Sequence, residues 1–220
     1  MNEISLAEHA KIYDKYMVDT SKYSKPVRLY LDVDNVVIPQ PHNEEEANRY
    51  RQDAVEVEVF KQRGWEVVGK ESGLIWWNKP VIARLAALSH SPDVDAVWLT
   101  SWRENAPYVL DDLLGIKSLG FLPWQHKMAD YAQSFKGVAI EEDQQDYPSK
   151  FVWLDDLANI SWDGLPYFTR EEWDTNETID TISPSDYLSI VVDKYAGLTM
   201  ENMDTVESWV ADNRMGLPKK

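Results

Sequence analysis

The sequence predicts a three-layer α/β sandwich around a central, mostly parallel sheet. Short apolar runs rich in Val, Leu and aromatic residues indicate buried strands at 27–31, 96–99 and 151–154. Helical patterns lie between them at 81–88 and at 107–114, and Gly115 closes the second. Because strands that alternate with helices usually pair in parallel, these runs favour one parallel sheet covered by helices.

Further elements are predicted before and after this alternating region. Residues 5–17 carry apolar side chains at helical spacing, which predicts an amphipathic helix ahead of the first strand. The apolar run 188–192 predicts an additional strand. Thr199 is a suitable N-cap for a last helix, whose predicted buried face carries Met203, Val206, Trp209 and Val210.

The stretch 39–77 departs from this rhythm. Val55, Val57 and Val59 alternate with glutamates, and three glycines punctuate the residues that follow. Alternation of this kind is typical of a strand with one buried face, so we interpret the stretch as a small antiparallel cap insertion. With 220 residues and 44% apolar content, we expect a single domain over residues 1–220 that contains this insertion.

Composition excludes several classes of protein. A formal net charge of -16 disfavours a protein whose main partner is a nucleic-acid backbone, so we expect no binding of extended duplexes. The absence of cysteine excludes disulfides and thiolate metal sites, which leaves oxygen or nitrogen ligands. No run approaches the ~20 apolar residues of a membrane span, and residues 1–16 do not resemble a signal peptide. We therefore expect a cytoplasmic protein.

Polar side chains follow each of the three main predicted strands. Asp32 and Asp34 come after the first strand, Thr100 and Ser101 after the second, and Asp155 and Asp156 after the third. Ligands of open α/β sheets bind beyond the carboxyl ends of the strands, so we expect these side chains to converge. Clustered carboxylates repel one another unless a cation neutralises them. All-oxygen ligation favours a hard ion, and Mg²⁺ is the usual one beside phosphate.

These segments resemble the motifs of the haloacid dehalogenase (HAD) superfamily. The run Leu31-Asp32-Val33-Asp34-Asn35-Val36 is similar to its first motif, Trp98-Leu99-Thr100 to its second, and Trp153-Leu154-Asp155-Asp156 to its fourth. A closer resemblance is to the HAD domain of Swiss Army Knife RNA repair proteins. It is carried by 97–102 followed by Asn105, by 153–156, and by Gly197-Leu198-Thr199 ahead of the last helix.

The resemblance implies a HAD-like Rossmannoid fold and a role for each matching residue. Asp32 would be the nucleophile, and Asp34 the general acid and base. Thr100 would donate a hydrogen bond to the phosphoryl oxygens. Mg²⁺ would be held by Asp32, by the backbone carbonyl of Asp34, and by the pair Asp155 and Asp156.

The family also needs a lysine to offset charge on the transferred phosphoryl group. We favour Lys136 because it would open a helix on whose positive end the phosphate would rest. Lys150 is the competing candidate, although its position before the third strand predicts that it lies at the far edge of the sheet. Lys127 is a weaker one. Asn35 stands where the family usually has glycine, and Asn tolerates left-handed backbone angles.

The first functional hypothesis is a magnesium-dependent phosphatase that hydrolyses a small phosphorylated substrate through an aspartyl-phosphate on Asp32. The second narrows the substrate to a nucleotide or to the 3'-phosphorylated end of RNA or DNA, and it follows from the resemblance alone. Trp102, beside the second motif, is the one tryptophan for which we consider base stacking. The third hypothesis is a binding module that keeps the fold without turnover.

Overall fold

The computed structural model describes residues 27–63, 66–123, 136–158 and 182–213. Within these ranges the strands are β1 (Val27–Leu31), β2 (Val55–Arg63), β3 (Glu66–Ile75), β4 (Val94–Trp98), β5 (Ser118–Phe121), β6 (Lys150–Asp155) and β7 (Tyr187–Val191). The helices are α1 (Glu44–Asp53), α2 (Lys79–Ser89), a π-helical turn (Ala106–Leu110) continued by α3 (Asp111–Leu114), α4 (Lys136–Asp146) and α5 (Met200–Asn213). The helix predicted at 5–17 lies outside the described residues.

Five strands form the central sheet in the order β5-β4-β1-β6-β7, and every neighbouring pair is parallel. The central strand β1 is buried along its whole length. Strands that are covered on both faces have near-continuous apolar sequences, which is why the three inner strands could be predicted from the sequence. The predicted parallel sheet is confirmed, and β5 is an additional edge strand that the sequence analysis did not predict.

The two faces of the sheet carry separate hydrophobic clusters, as a three-layer sandwich requires. Leu29 and Leu31 of β1 belong to the cluster that includes residues of α2, α3 and α5. Tyr30 belongs to the opposite cluster, which includes Ala139 and Ile140 of α4. Because successive side chains of a strand point to opposite faces, helices cover the sheet on both sides. The predicted layer arrangement is confirmed.

The insertion is an antiparallel hairpin preceded by a helix. Strands β2 and β3 pair with each other in a separate two-stranded sheet, as predicted. Helix α1 was not predicted: it is largely polar, with Ala47 as its buried residue, so it lacks the apolar stripe that reveals a helix. Asn43 caps it by accepting a hydrogen bond from the Glu46 amide at 2.9 Å.

The last helix begins where the sequence predicted. The Thr199 hydroxyl oxygen accepts from the Asn202 amide at 3.1 Å, and the Asn202 side chain accepts from the Thr199 amide at 3.0 Å, which forms a reciprocal cap. Just before it, Gly197 has φ 62° and packs against the loop after β1, where an added Cβ would lie 3.0 Å from the Val36 carbonyl oxygen. This loop is the one that carries the first motif.

Among the described helices, none combines the length and the apolar character needed to cross a lipid bilayer.

Candidate active site at the carboxyl edge of the sheet

Backbone hydrogen bonds bring the ends of the three inner strands together. The Leu99 amide donates to the Leu31 carbonyl at 2.7 Å, and the Asp32 amide donates to the Leu154 carbonyl at 3.0 Å. These bonds extend the parallel pairing of β1 with β4 and with β6 by one residue beyond the strands. As a result, the residues that follow each strand start from adjacent points on one edge.

Three carboxylates meet at this edge. One oxygen of each of Asp32, Asp155 and Asp156 lies within 4.8 Å of the others. Asp32 and Asp155 are buried, whereas Asp156 is half-buried. Within the described part of the chain, this is the group of acidic side chains with the spacing of a metal site.

Lys136 lies inside the carboxylate group. Its Nζ is 2.8 Å from Asp32 Oδ2 and 2.7 Å from Asp155 Oδ2, and its side chain is buried. Helix α4 carries this lysine in its first described turn, as the sequence analysis anticipated. Lys150 is elsewhere: it pairs with Val27 at the opposite end of the sheet and donates to the Ser185 carbonyl at 3.2 Å. Lys127 lies outside the described residues.

The two buried carboxylates are further fixed by the backbone that follows them. Asp32 Oδ1 accepts from the Val33 amide at 2.8 Å, and Asp155 Oδ1 accepts from the Leu157 amide at 2.9 Å. The indole of Trp153 donates to Asp155 Oδ2 at 3.3 Å. Donors of this kind hold a carboxylate in one orientation, so the group is preorganised.

The carboxylate of Asp34 faces a different set of partners. Its Oδ1 accepts from the Trp102 indole nitrogen at 3.0 Å, and its Oδ2 accepts from the Ser101 hydroxyl at 3.4 Å. Its carboxylate is not a member of the metal-spaced group, and the metal contact predicted for Asp34 involves its backbone carbonyl instead. No pattern in the sequence indicated this contact, in which the indole nitrogen of Trp102 donates to Asp34.

Thr100 is buried at the same edge, two residues after the end of β4. Its hydroxyl oxygen accepts from the Trp102 amide at 3.3 Å, which forms a tight turn in the second motif. The turn brings Ser101 and Trp102 to Asp34. Thus the structure places the six predicted site residues on the described carboxyl edge, and their roles remain predictions.

Burial shapes the acid–base properties of the carboxylates. It raises the pKa of Asp32 to about 6, and the neighbouring Asp155 adds to the rise while Lys136 opposes it. Burial also raises the pKa of Asp34, Asp155 and Asp156. Lys136 stays charged, because the two adjacent carboxylates raise its pKa despite the cost of burial.

The donor set fits a divalent cation. Lys136 supplies one positive charge within a group of three carboxylates, so the ionised group carries an excess of negative charge. All the available ligand atoms are oxygens, which Mg²⁺ prefers. Asp32, Asp155 and Asp156 are the side chains that would hold it.

Asn105 connects the cap insertion to the second motif. Its Oδ1 accepts from the Phe60 amide at 2.6 Å and its Nδ2 donates to the Phe60 carbonyl at 3.2 Å, so the side chain pairs with β2 like a strand residue. Phe60 also contacts the Tyr108 ring, with centroids 4.9 Å apart. The insertion is therefore attached to the loop that carries Thr100. In the sequence, Asn105 stands out only through the resemblance to the HAD domain of Swiss Army Knife RNA repair proteins.

Comparison with known proteins gives one family. The family model described as the HAD domain in Swiss Army Knife RNA repair proteins matches residues 28–203, most of the chain. Neither a curated protein nor a solved structure matches the chain significantly. The matched region contains all six predicted site residues and, apart from Val27, the five-stranded parallel sheet. The chain therefore belongs to the HAD superfamily, in the family of HAD domains found in Swiss Army Knife RNA repair proteins.

Proposed function

We propose that this chain is a magnesium-dependent phosphomonoester hydrolase that acts through an aspartyl-phosphate on Asp32. The observation that carries the proposal is the position of Lys136, whose Nζ lies between Asp32 and Asp155 in the carboxylate group. Phosphoryl transfer depends mainly on positioning and on charge stabilisation. A buried lysine beside a fixed carboxylate supplies both.

The proposed reaction has two steps. In the first, an oxygen of Asp32 attacks phosphorus, the bond from phosphorus to the leaving oxygen breaks, and Asp34 donates a proton to that oxygen. In the second, Asp34 accepts a proton from water as the water oxygen attacks phosphorus. The bond to Asp32 then breaks, which releases inorganic phosphate and restores the carboxylate.

The surroundings of Asp34 support its role in both steps. Burial raises its pKa, which favours the protonated form needed for the first step. The hydrogen bonds from Trp102 and Ser101 favour the ionised form needed for the second. Because burial and these hydrogen bonds shift the pKa of Asp34 in opposite directions, the group is suited to donate a proton in one step and to accept one in the next.

The remaining residues stabilise charge. Lys136 and the Thr100 hydroxyl would face the oxygens of the transferred phosphoryl group. Mg²⁺, held by Asp32, the carbonyl of Asp34, Asp155 and Asp156, would supply a further positive charge against those oxygens. We propose that the insertion at 39–77, attached through Asn105, forms one wall of the substrate pocket.

The direct test measures hydrolysis of an aryl phosphate by the purified chain in Mg²⁺ and in EDTA. We expect hydrolysis in Mg²⁺ and none in EDTA. The Asp32→Asn variant should show no hydrolysis in either condition. Asp34→Asn should slow the second step most, because an aryl leaving group needs little protonation. Mass spectrometry of the acid-quenched variant should then show one added phosphoryl group. Asp186→Asn, at the far edge of the sheet beside Lys150, is a matched control expected to keep full activity.

Full activity of Asp32→Asn would contradict the proposed nucleophile. Absence of Mg²⁺-dependent hydrolysis on every phosphoester tried would instead favour a binding module that retains the fold.

The family description favours a nucleic-acid end or a nucleotide as the natural substrate. The net charge of -16 argues against contact with a long duplex, so we propose that only the terminal nucleotides are bound. Rates of phosphate release from 3'-phosphorylated oligonucleotides and from mononucleotides test this substrate class. A higher kcat/KM for the oligonucleotide is expected, whereas equal values would point to a mononucleotide phosphatase.

A further inference from the structure

Asn35 follows Asp34 directly and has a left-handed backbone, with φ 63°. The turn it forms is closed by its amide, which donates to the Ile38 carbonyl at 2.9 Å, and by amides that donate to the Val33 carbonyl. Glycine adopts this backbone at lower cost, since it has no Cβ. The backbone alone therefore does not explain why a side chain is present here.

The side chain of Asn35 makes a contact that glycine could not make. Its Nδ2 donates to Asp156 Oδ2 at 2.7 Å, across 121 residues of sequence. This bond joins the loop after β1 to the loop after β6. It engages the half-buried member of that group, which Lys136 does not contact within salt-bridge distance.

The chemistry of the donor suits a metal ligand. A lysine or arginine at this position would neutralise Asp156 and compete with a cation, whereas an amide is uncharged. A carboxylate has about four lone-pair sites, so one hydrogen bond leaves room for a metal contact. Partners that fix a ligand without removing its charge raise metal affinity.

We propose that Asn35 is a positioning residue that orients the Asp156 carboxylate for a divalent cation. The inference rests on the proposed function only in taking Asp156 as a metal ligand. It assigns a role to a residue that would not itself touch the cation or the substrate.

The test measures Mn²⁺ binding to the full chain without substrate, by electron paramagnetic resonance of free Mn²⁺. Asn35→Gly keeps the left-handed turn and removes the amide. We expect its Kd for Mn²⁺ to rise by about tenfold or more. Asn213→Gly, at the last residue of α5, is the matched control, because it removes an amide that donates to the Trp209 carbonyl at 2.8 Å and should leave Kd unchanged.

A double-mutant cycle separates positioning from general damage. In an Asp156→Ala background the amide has no carboxylate to hold, so Asn35→Gly should change Kd by less than twofold. An equal loss in both backgrounds would overturn the inference, as would an unchanged Kd in Asn35→Gly alone. If the unaltered chain binds no Mn²⁺, the metal site of the proposed function fails and the inference fails with it. Normal binding by the unaltered chain and by Asn35→Gly refutes only the inference.

Discussion

Replacing Lys136 with methionine tests directly whether its ammonium stabilises the two buried carboxylates beside it. Methionine keeps most of the apolar stem but removes an ammonium that lies 2.8 Å from Asp32 and 2.7 Å from Asp155. Because the lysine is only 8% exposed, water cannot replace it fully. Removing one partner of a buried ion pair typically costs about 3–5 kcal/mol, so we expect a loss of this size in the free energy of unfolding.

The loss should depend on pH in a defined direction. Burial raises the pKa of Asp32 from its ordinary 3.8 to about 6 even with the lysine present. The folded chain therefore holds this proton more tightly than the unfolded chain, and ionisation of Asp32 lowers stability as the pH rises through this window. Without Lys136 the pKa rises further, so the variant should be destabilised more at pH 8 than at pH 5.5.

Urea denaturation in EDTA at both pH values measures this effect. Lys150→Met is the matched control: its ammonium is half-buried and lies 3.7 Å from Asp186, so a change below about 1 kcal/mol is expected. Added Mg²⁺ should restore part of the stability of Lys136→Met, because the cation would balance the carboxylates. A loss below about 1 kcal/mol at pH 8, or an equal loss at both pH values, would refute the reasoning.

Three further predictions concern stability, and urea denaturation measures each. Asn105→Ala should cost about 1–3 kcal/mol, since it leaves both backbone groups of Phe60 without this partner; an unchanged midpoint would argue against the attachment of the insertion. Burial raises the pKa of Asp111 to about 6, so ionisation of this carboxyl in the folded chain lowers stability as the pH rises from 4 to 6. Asp111→Asn should reduce that loss, and an unaltered pH profile would contradict this prediction. Gly197→Ala should cost more than about 1 kcal/mol, because φ is 62° and the new Cβ would lie 3.0 Å from the Val36 carbonyl; a neutral result would mean that the loop yields easily.

Most of the central sheet was predictable because strands that are buried on both faces have mostly apolar sequences. The inner strands β1, β4 and β6 are mostly apolar, with Arg28 in β1 and Asp95 in β4 among the buried charged exceptions, and the structure changes only the bounds of β4 and β6. Strand β5 escaped prediction because it has four residues, is half-buried at its start and includes Gly120 at φ 113°. Short edge strands with glycine carry little hydrophobic pattern.

The helix after the second motif was predicted as one regular element at 107–114. The structure instead has a π-helical turn over Ala106–Leu110 that passes into a short α-helix over Asp111–Leu114. Gly115 ends it with φ 68°, as its position in the sequence indicated. The spacing of apolar residues indicates which face of a helix is buried. Over so few residues it does not distinguish the hydrogen-bond pattern of a π-helix from that of an α-helix.

The sequence by itself determined which chemical groups stand at the ends of the strands, since a parallel sheet brings its carboxyl ends to one edge whatever the details of packing. The tertiary structure decided which distant side chains pair there. Lys136 contacts Asp32, Trp102 contacts Asp34, and Asn35 contacts Asp156. Such contacts require donor and acceptor atoms about 3 Å apart, and this distance depends on strand register and on helix placement. No local pattern in the sequence encodes that placement.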